Sequence, residues 1–245
     1  MTIDQPVWVA VGLFVAYMAV VGLAWRATGT RYDALVDSRE HVVRGIILSI
    51  GLGAVLLVIV TTWLGWWQAA LGEGVRVGPA WVLVVPVLLG LIALVNIASI
   101  DFRSPQARLV PWILVGTLIV GFAEELVTRG TLVVGLRDGG VGEVWVWLIT
   151  SALFALLHAM NALFGQSTQK TLVQVVMTFF AGTAFYVTLM TTGSLVVGMV
   201  LHALWDLGAL GITATNGRQR PVAGAAMLVT FALALVAVWF VISAA

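Results

Sequence analysis

The chain has 245 residues, of which 61% are hydrophobic and only 9% charged, too apolar a composition for a water-soluble domain of this length. Its formal net charge of +1, with no run of Lys and Arg interleaved with aromatics, argues against a nucleic-acid partner. The absence of cysteine excludes disulfides, thiolate zinc sites and cysteine nucleophiles.

A bilayer is crossed by about 20 apolar residues. Runs of that kind predict eight spans, in chain order near 6–26, 45–71, 80–100, 109–136, 143–164, 171–190, 194–212 and 221–244. The first, "PVWVAVGLFVAYMAVVGLAW", has neither a basic leader nor a small-residue cleavage site and reads as a retained helix. No repeat or linker divides the sequence, so residues 1–245 are expected to form a single all-α, polytopic membrane domain. Trp8, Trp25, Trp63, Trp66, Trp67, Trp81 and Trp112 fall near span ends and read as interfacial anchors.

Charge in the connections sets the orientation. The connections after the first, third, fifth and seventh spans hold Arg26, Arg31, Arg39, Arg44, Arg103, Arg108, Lys170, Arg218 and Arg220. The others hold only Arg76 and Arg137. The positive-inside rule then makes the first group cytoplasmic and places both termini outside. An Ala-, Val- and Gly-rich chain whose one lysine is Lys170 points to a GC-rich bacterial genome, and so to a bacterial cytoplasmic membrane.

Inside this apolar chain the stretch "VGFAEELVTRGTL", residues 120–132, places Glu124, Glu125 and Arg129 within the fourth span. A charge at the bilayer centre costs about 2.5–3.5 kcal/mol even on the lenient insertion scale, so it is kept when paired or used. Glu125 and Arg129 are four residues apart in the favourable order for pairing on a helix. Glu124 is rotated by about 100° from Glu125, which leaves it free for chemistry. The plainer reading is a polar clamp between helices. His41 lies in a charged connection and reads as solvated, whereas His158 and His202 lie in apolar spans. Asp206 shares a helix face with His202, and Asn161 lies near the face of His158. At about 1.5 Å per residue, Glu124, His158 and His202 can meet in the inner half of the membrane. Asn96, Gln174 and Thr178 read as helix-packing hydrogen-bond formers.

The segments "EELVTR", "FALLH" and "HALWD" fit the patterns EExxxR, FxxxH and HxxxN/D in order on separate helices. Together they resemble the CPBP family of intramembrane proteases, which includes the CAAX prenyl proteases (the Ras-converting enzymes) and bacterial bacteriocin-processing or self-immunity proteins. The family core falls at approximately 110–212. The resemblance implies about eight transmembrane helices around a central intramembrane cavity. It also implies that Glu124 and His158 activate a water, and that His202 and Asp206 hold the oxyanion, with Glu125, Arg129 and Asn161 in support. A carboxylate in an apolar cavity is a stronger base than one in water, and an oxyanion needs pre-placed donors. Where many members have Asn, this chain has Asp206. An ionised Asp cannot donate, so Asp206 either is neutral or accepts from His202 and orients its ring. Metal-free glutamate chemistry is expected; if a divalent ion such as zinc is present, Glu124, His158, His202 and Asp206 are its ligands. The HExxH zinc helix is absent.

The expected function is that of an intramembrane endopeptidase. Its substrate would be a membrane-associated peptide or protein, prenylated or leader-type, cut from a site nearer the cytoplasmic side. The alternatives are a non-catalytic immunity or scaffold protein, and an ion-coupled transporter. Against the last, no paired Gly/Pro-broken helices occur in corresponding halves.

Overall fold

The computed structural model of the chain describes residues 5–72 and 76–245. Among these are eight helices long and apolar enough to cross a membrane, and no strand. They are α1 (Pro6–Thr28), α2 (Arg39–Leu64), α3 (Ala80–Ile97), α4 (Pro105–Asp138), α5 (Glu143–Phe164), α6 (Thr168–Thr192), α7 (Leu195–Thr215) and α8 (Pro221–Ile242).

The spans fall where hydropathy puts them, and their ends differ for local reasons. α2 stops at Leu64 because Gly65 adopts left-handed backbone with φ 70°, a conformation glycine takes without steric cost. The residues expected to prolong α2 form a separate short helix, Trp67–Leu71. α4 starts early, at Pro105, where the Ser104 side chain accepts from the Gln106 N–H and proline occupies the first position.

Three helices depart from regular α geometry close to residues of interest. α2 makes π turns over Val42–Leu48, and α4 does so over Leu126–Thr131, directly after the two glutamates. In α5 the α-helix ends at Leu157 and a tighter 3₁₀ segment continues over His158–Phe164. Local departures of this kind re-aim side chains, and π turns recur at functional sites.

α4 packs against α1, α2 and α7, α7 also lies on α3, and α6 lies between α5 and α8. One apolar cluster joins α1, α2 and α4 with part of α7; a second joins α3, α6 and α8. Not every tryptophan is an anchor. Trp8 and Trp63 are 70% and 73% exposed, but Trp25 and Trp66 are buried. The Trp25 Nε1–H donates to the Gly45 carbonyl at 2.7 Å, tying α1 to α2.

Small residues bring α4 and α7 together, as is usual between membrane helices. A Cβ on Gly121 would sit 2.4 Å from the Met199 carbonyl oxygen and 2.9 Å from the Ala203 nitrogen, so the two backbones touch one turn before Glu124. Gly121→Val is therefore expected to push α4 off α7 and destabilise the protein by at least about 1–3 kcal/mol, the usual cost of overpacking. A thermal-melting comparison in detergent checks this.

Candidate active site

A cavity of about 320 Å³ lies at the seam between the two apolar clusters. Its wall takes residues from every spanning helix except α3. Glu124, His158, Asn161, His202 and Asp206 all line it. Glu125 and Arg129 lie behind this wall, 0% and 1% exposed.

The buried charges are arranged as a line. The Arg129 Nη1 donates to Glu125 Oε1 at 3.1 Å and to Thr128 Oγ1 at 2.8 Å. Its guanidinium also lies 4.0 Å from the ring centre of Phe154, a cation–π contact in a dry setting. The same Glu125 oxygen lies 3.0 Å from His202 Nδ1 on α7. An oxygen already accepting from arginine faces the imidazole as an acceptor, which fixes the His202 proton on Nδ1. Glu125 is thus shared between Arg129 and His202, and this second partner was missed by sequence reasoning. Nothing in the sequence links two residues 77 positions apart.

Glu124 is placed differently. Its Oε2 is buried and has no hydrogen-bond partner among the described residues. That oxygen stands 3.9 Å from His202 Nε2, beyond hydrogen-bond range, while Asp206 Oδ2 stands 3.6 Å from the same nitrogen. His158 turns its Nδ1 to the Phe154 carbonyl at 3.0 Å. A carbonyl only accepts, so Nδ1 carries the proton and the neutral ring keeps Nε2 as an acceptor.

Two phenylalanines hold the histidines. Phe185 stacks on His202 with ring centres 5.0 Å apart, and Phe154 meets His158 and His202 edge-on at 5.2 Å and 5.6 Å. Phe154 is the first residue of "FALLH", so that motif carried its signal. Phe185 had none, lying in none of the three motifs.

Asn161 stays on the cavity wall, but its amide Nδ2 donates to Gln174 Oε1 at 3.0 Å rather than serving His158. Gln174 Nε2 in turn donates to the Tyr32 hydroxyl at 2.8 Å. This relay joins α5, α6 and the α1–α2 connection at one end of the cavity. Burial pushes the Tyr32 phenol up to about 12, so it remains a neutral hydroxyl there. Thr178, read as an interhelical bond former, closes back on the Gln174 carbonyl of its own helix, and Asn96 Oδ1 has no partner among the described residues.

No group of three His, Asp or Glu side chains among the described residues has the convergence of a metal site. A shared zinc would need each donor within about 2.0–2.2 Å. Of the two cavity histidines only Nε2 is left for any ligand, the Nδ1 atoms being held by the Phe154 carbonyl and Glu125.

Removing one partner of the buried pair strands the other. Arg129→Met is expected to cost about 3–5 kcal/mol, and the double variant Glu125→Gln/Arg129→Met to recover much of it because no formal charge then remains. Melting temperatures of the two single variants and the double variant test this coupling.

The comparisons agree with the motifs. A family model described as Type II CAAX prenyl endopeptidase Rce1-like matches residues 105–208, from the start of α4 to just past Asp206. No curated protein and no solved structure matches the chain. Over residues 105–208, which hold Glu124, Glu125, Arg129 and both cavity histidines, the chain is similar to the Rce1-like type II CAAX prenyl endopeptidases.

Proposed function

We propose that this protein is an intramembrane endopeptidase in which Glu124 activates a water, without a metal, to cleave a peptide bond of a membrane-associated substrate, prenylated or leader-type. One observation carries the reading. Of two adjacent glutamates, Glu125 is committed through Oε1 to Arg129 and His202 and lies behind the cavity wall, whereas Glu124 lines the cavity with the histidines and its Oε2 has no hydrogen-bond partner among the described residues.

The chemistry needs a base, a nucleophile and donors for the developing oxyanion. Water forms the new C–O bond to the substrate carbonyl carbon and gives a proton to Glu124, and the carbonyl π pair moves onto oxygen. His158 Nε2 accepts from the water's other hydrogen and so aligns it. The tetrahedral species collapses as the C–N bond breaks. Its nitrogen takes the proton from Glu124, and the products are a carboxylic acid and an amine. His202, gripped through Nδ1, donates from Nε2 when its ring is doubly protonated. Asp206 Oδ2, 3.6 Å from Nε2 and too far for a hydrogen bond, forms an ion pair with that ring when both are charged.

The cavity is proposed to open to the cytoplasm. Tyr32 and Leu35, from the connection flanked by Arg26, Arg31 and Arg39, line it, as do Asn161 and Gln174 on either side of Lys170. The positive-inside rule puts that end in the cytoplasm.

The test compares peptide termini by mass spectrometry in cells expressing wild type or Glu124→Gln at matched levels. Termini produced by wild type alone support the protease reading and point to its substrates. Identical profiles from two folded, abundant proteins overturn it in favour of an immunity or scaffold role. For the metal-free part, the purified protein is expected to keep cleaving a peptide so identified after exhaustive chelation. Loss of cleavage restored by zinc overturns that part alone.

A further inference from the structure

Tyr17 lies on α1, well before the segment that matches the family, and none of the three motifs contains it. It lines the cavity with Glu124 and His202 and is only 1% exposed. Its hydroxyl has no hydrogen-bond partner among the described residues. A buried, unpartnered hydroxyl loses its hydration and receives no bond in return, so a purely structural tyrosine here gains nothing over phenylalanine.

The ring is held in place. A Cβ on Gly53 of α2 would stand 2.6 Å from Tyr17 Cε2 and 2.8 Å from Cδ2, so the glycine makes the seat in which the ring lies. An oriented donor that is idle in the resting protein is what oxyanion stabilisation requires, because no reorganisation is then needed at the moment of reaction.

The other polar groups beside Glu124 leave that task short of donors. His158 commits its proton to the Phe154 carbonyl and offers a lone pair at Nε2. His202 commits one proton to Glu125 and donates from Nε2 only when doubly protonated. Asp206, ionised, repels an oxyanion.

Resting on the endopeptidase reading, we infer that the Tyr17 hydroxyl is a catalytic hydrogen-bond donor to the substrate carbonyl oxygen as it becomes the oxyanion. The phenol keeps its proton throughout: it donates a hydrogen bond while the carbonyl π pair resides on oxygen, and the bond weakens as C=O re-forms.

The experiment uses the full chain in liposomes and, as probe, a synthetic peptide spanning the junction that gives the strongest Glu124-dependent terminus. Wild type, Glu124→Gln and Tyr17→Phe are compared for turnover, KM and melting temperature. Tyr17→Phe is expected to lower kcat roughly 10²-fold, the loss typical of one oxyanion donor, with KM unchanged and the melting temperature equal or higher. Wild-type turnover in Tyr17→Phe, with Glu124→Gln inactive, overturns this inference and leaves the protease reading standing. A lowered melting temperature with little effect on kcat assigns the hydroxyl a structural role and also overturns it. If no terminus depends on Glu124, both readings fall together.

Discussion

The architecture depends on a guanidinium held inside a membrane helix. Arg129 is 1% exposed in a largely apolar span, and a cation there is tolerated only when its charge is met nearby. Glu125 at 3.1 Å, Thr128 at 2.8 Å and the face of Phe154 at 4.0 Å meet it together. Its Nε and Nη2 still have no partner among the described residues, so tight seating supplements the hydrogen bonds. Gly182 of α6 provides that seat, since a Cβ there would come within 2.9 Å of Nη2. The same Glu125 oxygen reaches His202 on α7. Charge compensation within α4 and orientation of the α7 histidine are therefore one interaction, and the register between the helices is coupled to it.

That coupling explains the glycines. For Glu125 to touch His202, the backbones of α4 and α7 must approach more closely than any side chain on their facing surfaces allows. Gly121 supplies the contact on α4, and Gly198 on α7 lies beneath the Glu125 carboxylate, where a Cβ would be 3.5 Å from Oε2. The π turns begin immediately afterwards, at Leu126. Adjacent glutamates then enter two environments: Glu125 faces the packed α4–α7 contact, and Glu124 faces the cavity. Phe154 closes the group from α5, touching Arg129, His158 and His202 with one ring. Its loss would loosen the ion pair and both histidines at once.

Much of this arrangement was legible in the sequence, because the membrane makes polar residues rare. Eight spans follow from apolar length alone, and Glu124, Glu125, Arg129, His158, His202 and Asp206 stand out because few other ionisable residues lie in the interior of those spans. The i,i+4 spacing of Glu125 and Arg129 gives their contact directly. What was not legible depends on backbone detail or on distant pairing. The π turns have no composition signal. The 3₁₀ segment beginning at His158 runs through Asn161, whose amide goes to Gln174 and not to the histidine. Trp25 has the position of an interfacial anchor, yet the approach of α2 at Gly45 buries it and gives its N–H a partner. Tyr17 and Phe185 carry no charge and sit on helices without a motif, so only the folded chain places them on the same cavity wall as the glutamate.

The low dielectric that makes Arg129 expensive also governs what the cavity can receive. A peptide backbone brought there leaves water, and each unpaired N–H or C=O then costs free energy comparable to a lost hydrogen bond. The walls offer little replacement, being largely methionine, aromatic and aliphatic side chains such as Met18, Met177, Met227, Trp205 and Phe231. Polar atoms occur in two places: around Glu124, His158, His202, Asp206 and Tyr17, and along the Asn161–Gln174–Tyr32 relay. Methionines adapt to varied apolar shapes, so the walls discriminate weakly among side chains. The polar groups discriminate strongly among backbone positions, because a peptide unit settled anywhere else remains unsatisfied. On the proposed reading, the bond most readily accommodated is the one whose carbonyl lies beside Glu124, and the cavity would select a place along the chain before it selects a sequence.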